Sequence, residues 1–143
     1  MNKLEVPSID VQLELPKQVT AGESIHIQLT IINRSHSSIS LTTPLYNAAL
    51  NLLVFDELWN LILPQGIGKV HVAFDRIELA PNARFTFNIE NLSYISGTSQ
   101  MSFNLKTGQY YVLAVYHPGT ARLPSESTYP IIAVSNVAKL DIE

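Results

Sequence analysis

Apolar and polar residues alternate along much of this chain with a period of two, the signature of strands that show one face to a core and the other to water. Ile9, Val11, Leu13 and Leu15 alternate with Asp10, Gln12 and Glu14 until Pro16 ends the run. After a turn at Thr20-Ala-Gly22-Glu23, residues Ile25, Ile27, Leu29 and Ile31 face one way while His26, Gln28 and Thr30 face the other. The polar run Asn33 to Ser38 predicts a loop, and Ile39 to Thr42 a short strand closed by Pro44. Further along, Phe85, Phe87 and Ile89 alternate with Thr86, Asn88 and Glu90. The most continuous apolar stretch runs from Tyr110 to Tyr116 after a turn at Gly108, and the rest of the chain reads as layers built against it.

Between these segments the pattern is weaker. Pro64 to Gly68 reads as a flexible loop, with Val70, Val72 and Phe74 as a short strand or irregular edge. Ile77 to Asn82 reads as the approach to a turn. Asn91 to Ser102 reads as a polar connection that tucks Tyr94 and Ile95 against the core, and Ile131 to Val134 with Val137 to Ile142 as the last strand or strand pair.

Residues 45–63 admit two readings. Thr43-Pro44 is a plausible helix start, and Ala48, Leu52, Phe55 and Trp59 share one helical face. Yet Leu50, Leu53, Val54, Leu58 and Leu61 would spread apolar surface around the whole circumference, which demands a helix buried on every side. The better reading is a hairpin: Ala49 to Phe55, a tip near Asp56-Glu57, then Leu58 to Leu63. The tip lacks the usual glycine and carries Trp59-Asn60 instead.

Together these segments predict an all-β fold, an immunoglobulin-like antiparallel β-sandwich of about seven to nine strands forming one domain over 1–143. Leu105-x-x-Gly108-x-Tyr110 resembles the tyrosine corner of immunoglobulin-like and fibronectin type III sandwiches. The turn at Gly22-Glu23, Asn33-x-Ser35 after the second strand and Leu79-x-Pro81-Asn82 before Phe85 are similar to marks of bacterial domains of these kinds, with a weaker similarity to the intracellular proteinase inhibitors of bacilli. The resemblance spans Val11 to Ile142 and implies a fold; it assigns Leu105, Gly108 and Tyr110 a structural role and carries no function with it.

Composition narrows the possible chemistry. The 143 residues are 46% hydrophobic and 15% charged, too apolar for disorder, and no apolar run is long enough to span a bilayer. The first residues lack the apolar core of a signal peptide, so a cytoplasmic location is expected. The sequons at Asn33 and Asn91 matter only for a secreted chain. With no cysteine there is no disulfide or thiolate chemistry, and a net charge of −3 with scattered basic residues gives no footprint for nucleic acid or an anionic membrane.

The four histidines, His26, His36, His71 and His117, have no ligand spacing between them, although the loops carrying His36 and His117 meet at one end of such a sandwich. No nucleophile elbow is present, and Asp56-Glu57 reads as a solvated turn. No catalytic, metal or cofactor site is therefore expected.

What stands out is the organising strand. If Tyr110, Val112 and Ala114 point inward, Tyr111, Leu113 and Val115 form an apolar row on the side that should be wet. That predicts a non-catalytic protein-interaction module, with a protein partner or self-association. A proteinase inhibitor presenting the proline-rich 117–130 loop, with His117, Arg122, Leu123 and Tyr129 as candidate contacts, is one alternative. A carbohydrate-binding sandwich using Trp59 and exposed tyrosines as platforms is another.

Overall fold

The structure is a computed structural model that describes residues 8–44, 49–70, 75–117 and 132–143. Among them every regular element is a strand, and no helix is long and apolar enough to cross a membrane. The strand segments are β1 (Ile9–Glu14), β2 (Gln18–Val19), β3 (Ile27–Asn33), β4 (Ile39–Thr42), β5 (Leu50–Asp56), β6 (Leu61–Ile62) and β7 (Gln65–Lys69). They continue as β8 (Arg76–Leu79), β9 (Arg84–Ile89), β10 (Ser93–Ser96), β11 (Ser99–Ser102), β12 (Gly108–Tyr116), β13 (Ala133–Val134) and β14 (Ala138–Ile142).

The alternating segments build the two layers of an immunoglobulin-like sandwich. One sheet has the order β1-β3-β9; the other runs β2-β14-β12-β5-β6, with β13 beside the end of β12. All ladders are antiparallel except the short pairing of β14 with β2. Because side chains alternate across a strand, each sheet buries one row. Val11, Leu13, Ile27, Leu29, Ile31 and Phe87 from the first meet Leu50, Leu52, Val54, Val112, Ala114, Tyr116 and Leu140 from the second in one core.

The segment count exceeds seven to nine because two long strands are interrupted, because β7, β10 and β11 form a further small sheet, and because β2, β6 and β13 are two-residue pairings at the sheet margins. The ladder between β3 and β9 ends at Ile32 opposite Arg84 and resumes between β4 and β8 at Ile39 opposite Leu79. Asn33 holds the gap together. It is fully buried, and its backbone exchanges bonds with Ala83 O and Asn82 N. Its side-chain amide donates to Ser37 O and Leu79 O, each at 2.9 Å, and its Oδ1 accepts from Ser35 N. With both amide hydrogens and the amide oxygen partnered, the cost of burying this side chain is offset and the local geometry is fixed.

Three sequence-based expectations are corrected. The stretch Ile77 to Leu79 is strand β8, with the turn following at Ala80 to Asn82. Gln65 to Lys69 is strand β7, paired with β11 across a bulge, and no loose connection. Within Asn91 to Ser102 lies the hairpin β10–β11, turning at Gly97, whose φ of 64° suits glycine. Serines and glycines hid both: their side chains give no apolar period, and backbone pairing supplies the stability instead. Val72, Phe74 and His71 lie outside the described residues.

The 45–63 segment is a hairpin where described, with β5 and β6 pairing through Val54–Ile62 and Phe55–Leu61. At the other end, Tyr110 is buried and its hydroxyl donates to Lys106 O at 2.8 Å, while Leu105 packs on the core. Gly108 enters β12 at φ 153°, a conformation that side-chain-bearing residues avoid.

Candidate interaction surface

The surface starts from the register of β12. Tyr110, Val112, Ala114 and Tyr116 are buried, and Tyr111, Leu113 and Val115 between them are half-buried on the outward side. On β5 the residues directly opposite are Phe55, Leu53 and Asn51. Leu61 of β6 lies opposite Phe55 and so shares that face, as Val134 of β13 shares it opposite Val115. Lys139 of β14 lies opposite Tyr111. The outward face is thus largely apolar across β13, β12, β5 and β6, with Asn51 among its apolar residues and the exposed Lys139 and Asp141 at its β14 border.

The β5–β6 turn adds to this face. The Asp56 carboxylate accepts bonds from Leu58 N and Asn60 N at 2.9 Å, and from Asn60 Nδ2 at 3.2 Å. The Asn60 amide foremost holds its carboxyl below the ordinary value of 3.8. This clasp does the work expected of a glycine, and it leaves Trp59 at φ 63°, an uncommon conformation for a bulky side chain. Trp59 consequently folds back onto the sheet. Its ring stacks on Tyr111 at 4.1 Å with only 3° between the planes, and meets Phe55 at 5.7 Å. Lys139 Nζ lies 6.0 Å from the centre of the Tyr111 ring. The indole is still 54% exposed, and Leu58 and Leu63 are each 77% exposed.

The opposite sheet faces outward with amides and hydroxyls. Gln28 Nε2 donates to Asn88 Oδ1 at 3.1 Å, and Thr30 and Thr86 pair at 2.9 Å. A shallow depression of about 510 Å³ at the end of this sheet is lined by the polar Glu14, His26, Gln28, Asn88 and Glu90 together with the apolar Leu15, Pro16, Ile27 and Ile89. Among the described residues no group of three His, Cys, Asp or Glu is placed to hold a metal. His36 is exposed in the β3–β4 loop, and His117 N donates to Ala49 O. Burial pushes the Tyr116 phenol upward, and its hydroxyl donates to Thr42 O, a core role that sequence reasoning had not separated from the rest of the strand.

The structure therefore brings Tyr111, Leu113 and Val115 together and adds Phe55, Trp59 and Leu61. The signal for Trp59 was present in the sequence as the missing glycine, but only the Asp56 clasp shows where the ring goes. Arg122, Leu123 and Tyr129 lie outside the described residues.

No family model matches the chain, and no curated protein matches it. Among solved structures it is similar to a CARDB domain from Pyrococcus furiosus determined in solution, at 12% identity and a TM-score of 0.47, with 97% of each chain covered. A crystal structure of that domain in complex with di-metal ions gives 13% identity and a TM-score of 0.44, over 99% of this chain and 97% of the other. It is also similar to part of a β-glucosidase from Listeria innocua, at 17% identity and a TM-score of 0.45; there 95% of this chain covers only 16% of the enzyme.

Proposed function

We propose that this chain is a non-catalytic protein-interaction module that binds through the outward face of the β14-β12-β5-β6 sheet. The observation that carries this reading is the Trp59–Tyr111 stack, exposed and held in place by the Asp56 clasp above an apolar sheet face. Aromatic anchors that are already ordered lose little entropy on binding, and Trp and Tyr dominate the energetics of protein interfaces. A glycan platform would need polar groups beside the ring to bond sugar hydroxyls, and two of those in the Trp59 turn, Asp56 and Asn60, are engaged with each other.

The test is capture from lysate followed by reconstitution with purified components, using wild type, Leu113→Glu and, on the other sheet, Thr30→Glu. A partner kept by wild type and Thr30→Glu but lost by Leu113→Glu, with all three proteins melting within a few degrees of one another, is the expected result. Equal retention by Leu113→Glu overturns the assignment of this face.

A further inference from the structure

The two layers finish their edges differently. An edge strand shows water a row of backbone N–H and C=O groups, with which another strand can pair unless something blocks it. On β1 the row is closed at Leu13, whose N–H and C=O are both bonded by the Asn136 side chain, at 2.8 and 3.0 Å. β2 and β6, the margins of the other sheet, are two residues long. β9 is six residues long, pairs with β3 alone among the described residues, and keeps an unbroken register without proline or bulge.

Its free groups follow from the bonding. Asn33 N donates to Ala83 O and Leu92 N to Ile25 O, so the odd-numbered residues of β3 turn their backbone toward β9. The register then makes Ile27–Ile89, Leu29–Phe87 and Ile31–Phe85 the bonded pairs. Arg84, Thr86 and Asn88 turn their N–H and C=O groups to the open edge, and all three are exposed. Between them on the inward side Phe85 is 42% exposed, although its ring meets that of Phe87 at 4.6 Å. The same parity sends the side chains of Arg84, Thr86, Asn88 and the following Glu90 outward, with a cation at one end of the row and a carboxylate at the other. The remaining charges of this layer keep that polarity: Asp10 and Arg34 are bonded to each other at 2.8 Å, while Glu14 and His26 share the depression with Glu90.

Such a row is its own complement. When two copies of β9 run antiparallel about a two-fold axis at Phe87, Thr86 lies opposite Asn88 of the second copy, and Arg84 lies opposite its Glu90 at both ends. Residues opposed in this way are about 5.5 Å apart at Cα, within reach of a guanidinium–carboxylate pair. Phe85 is then covered by Ile89 of the second copy. Moving the axis to Thr86 puts Arg84 opposite Asn88 and Glu90 beside Asn82, and moving it to Asn88 puts Arg84 opposite Leu92, so in both cases the charges lose their partners. Charge thereby selects the register, and backbone bonds supply affinity that a narrow interface does not draw from area.

We infer that β9 pairs edge to edge with β9 of a second copy of this chain, antiparallel about a two-fold axis at Phe87, joining two β1-β3-β9 sheets into one. The edge lies on the other layer from the proposed interaction face and is tested separately from it.

The experiment is sedimentation and light scattering of the purified chain from micromolar to near-millimolar concentration, on wild type, Arg84→Glu, Glu90→Arg and the double exchange Arg84→Glu/Glu90→Arg. Wild type should form a dimer whose dissociation constant rises about tenfold in each single variant, because each change sets two like-charged pairs across the axis. The double exchange should return it to within about threefold of wild type. Mixing the two single variants makes every pair across the axis opposite in sign, so a mixed dimer should form where each variant alone is monomeric. Amide exchange should slow at Thr86 and Asn88 as the dimer fills, while Phe85 and Phe87 stay protected throughout. Melting temperatures of the dilute proteins should agree within a few degrees, since Arg84 and Glu90 are exposed. A wild type that stays monomeric, a mixture no tighter than its components, or Thr86 and Asn88 amides indifferent to concentration overturns the inference. So does a dimer that Leu113→Glu abolishes and Arg84→Glu leaves intact, which assigns self-association to the other sheet.

Discussion

β3 and β12 are the central strands of their sheets, and along the run from Ile27 to Ile31 and from Tyr110 to Tyr116 both bury every second residue. Along these runs the contrast lies on the outside. β3 shows Gln28 and Thr30, joined across the sheet to Asn88 and Thr86, whereas β12 shows Tyr111, Leu113 and Val115 among Phe55, Leu53 and the Trp59 ring. The inner rows are dictated by the core, which both sheets share, so they carry no information about role. The outer rows are under no such constraint. An amide and hydroxyl face is satisfied by itself and by water, while an apolar face gains from being covered.

The largest effect that tests this division lies within β12 itself. Tyr110→Phe removes the donor to Lys106 O from the inward side and should cost about 1–2 kcal/mol, roughly 3–10 °C in melting temperature for a domain of this length. The outward changes Tyr111→Phe and Thr30→Val should each stay within about 0.5 kcal/mol. Urea and thermal unfolding of the three variants check this; a Tyr111→Phe loss as large as that of Tyr110→Phe would blur the distinction between the rows.

A smaller effect sharpens the role of the turn. Trp59→Ala gives up the stack on Tyr111 and keeps the unfavourable φ, for a loss of about 1 kcal/mol. Trp59→Gly gives up the same stack but relieves the backbone, and should lie within about 0.5 kcal/mol of wild type. If glycine is the worse of the two by chemical denaturation, the backbone there is not under strain.

Smallest is a pH response confined to the same place. The Asp56 carboxyl is held below its ordinary value of 3.8, so the clasp is at full strength above that pH and is lost as pH falls through the depressed value. Trp59 is the sole tryptophan, so its fluorescence should report the loosening at strongly acid pH, before global unfolding is seen by far-UV circular dichroism. Asp56→Asn should remove the acid step. A transition that persists in Asp56→Asn would assign it to another group.

The strands with alternating residues were legible because burial imposes the period directly, as in Ile9–Glu14 and in Tyr110 to Tyr116. The β5–β6 hairpin was legible through a negative argument, since the apolar residues of this segment fit no helix of one buried face. β7, β10 and β11 were not legible. Gly66, Gly68 and the serines of the β10–β11 hairpin join ladders through backbone groups that every residue has, and the identity of the partner strand is fixed by tertiary position. For the surface, the outward row of β12 was visible by parity alone. That Phe55 and Trp59 complete it depends on cross-strand register and on a carboxylate bonding two amides of its own turn, and neither is a property of local composition.

The buried amide of Asn33 also has a consequence for how the chain is handled in a cell. Asn33-Arg-Ser35 is a glycosylation sequon, yet both amide hydrogens are committed to Ser37 and Leu79 and the side chain has no exposed surface. An oligosaccharide on that nitrogen would remove one of those bonds and force a bulky group into the buried space between Ser37 and Leu79. In a secretory host, sugar transfer to this asparagine therefore competes directly with closure of the sandwich: chains that fold first are protected at Asn33, and chains modified first are barred from the native state. Asn91, exposed and two residues before Ser93, carries no such conflict.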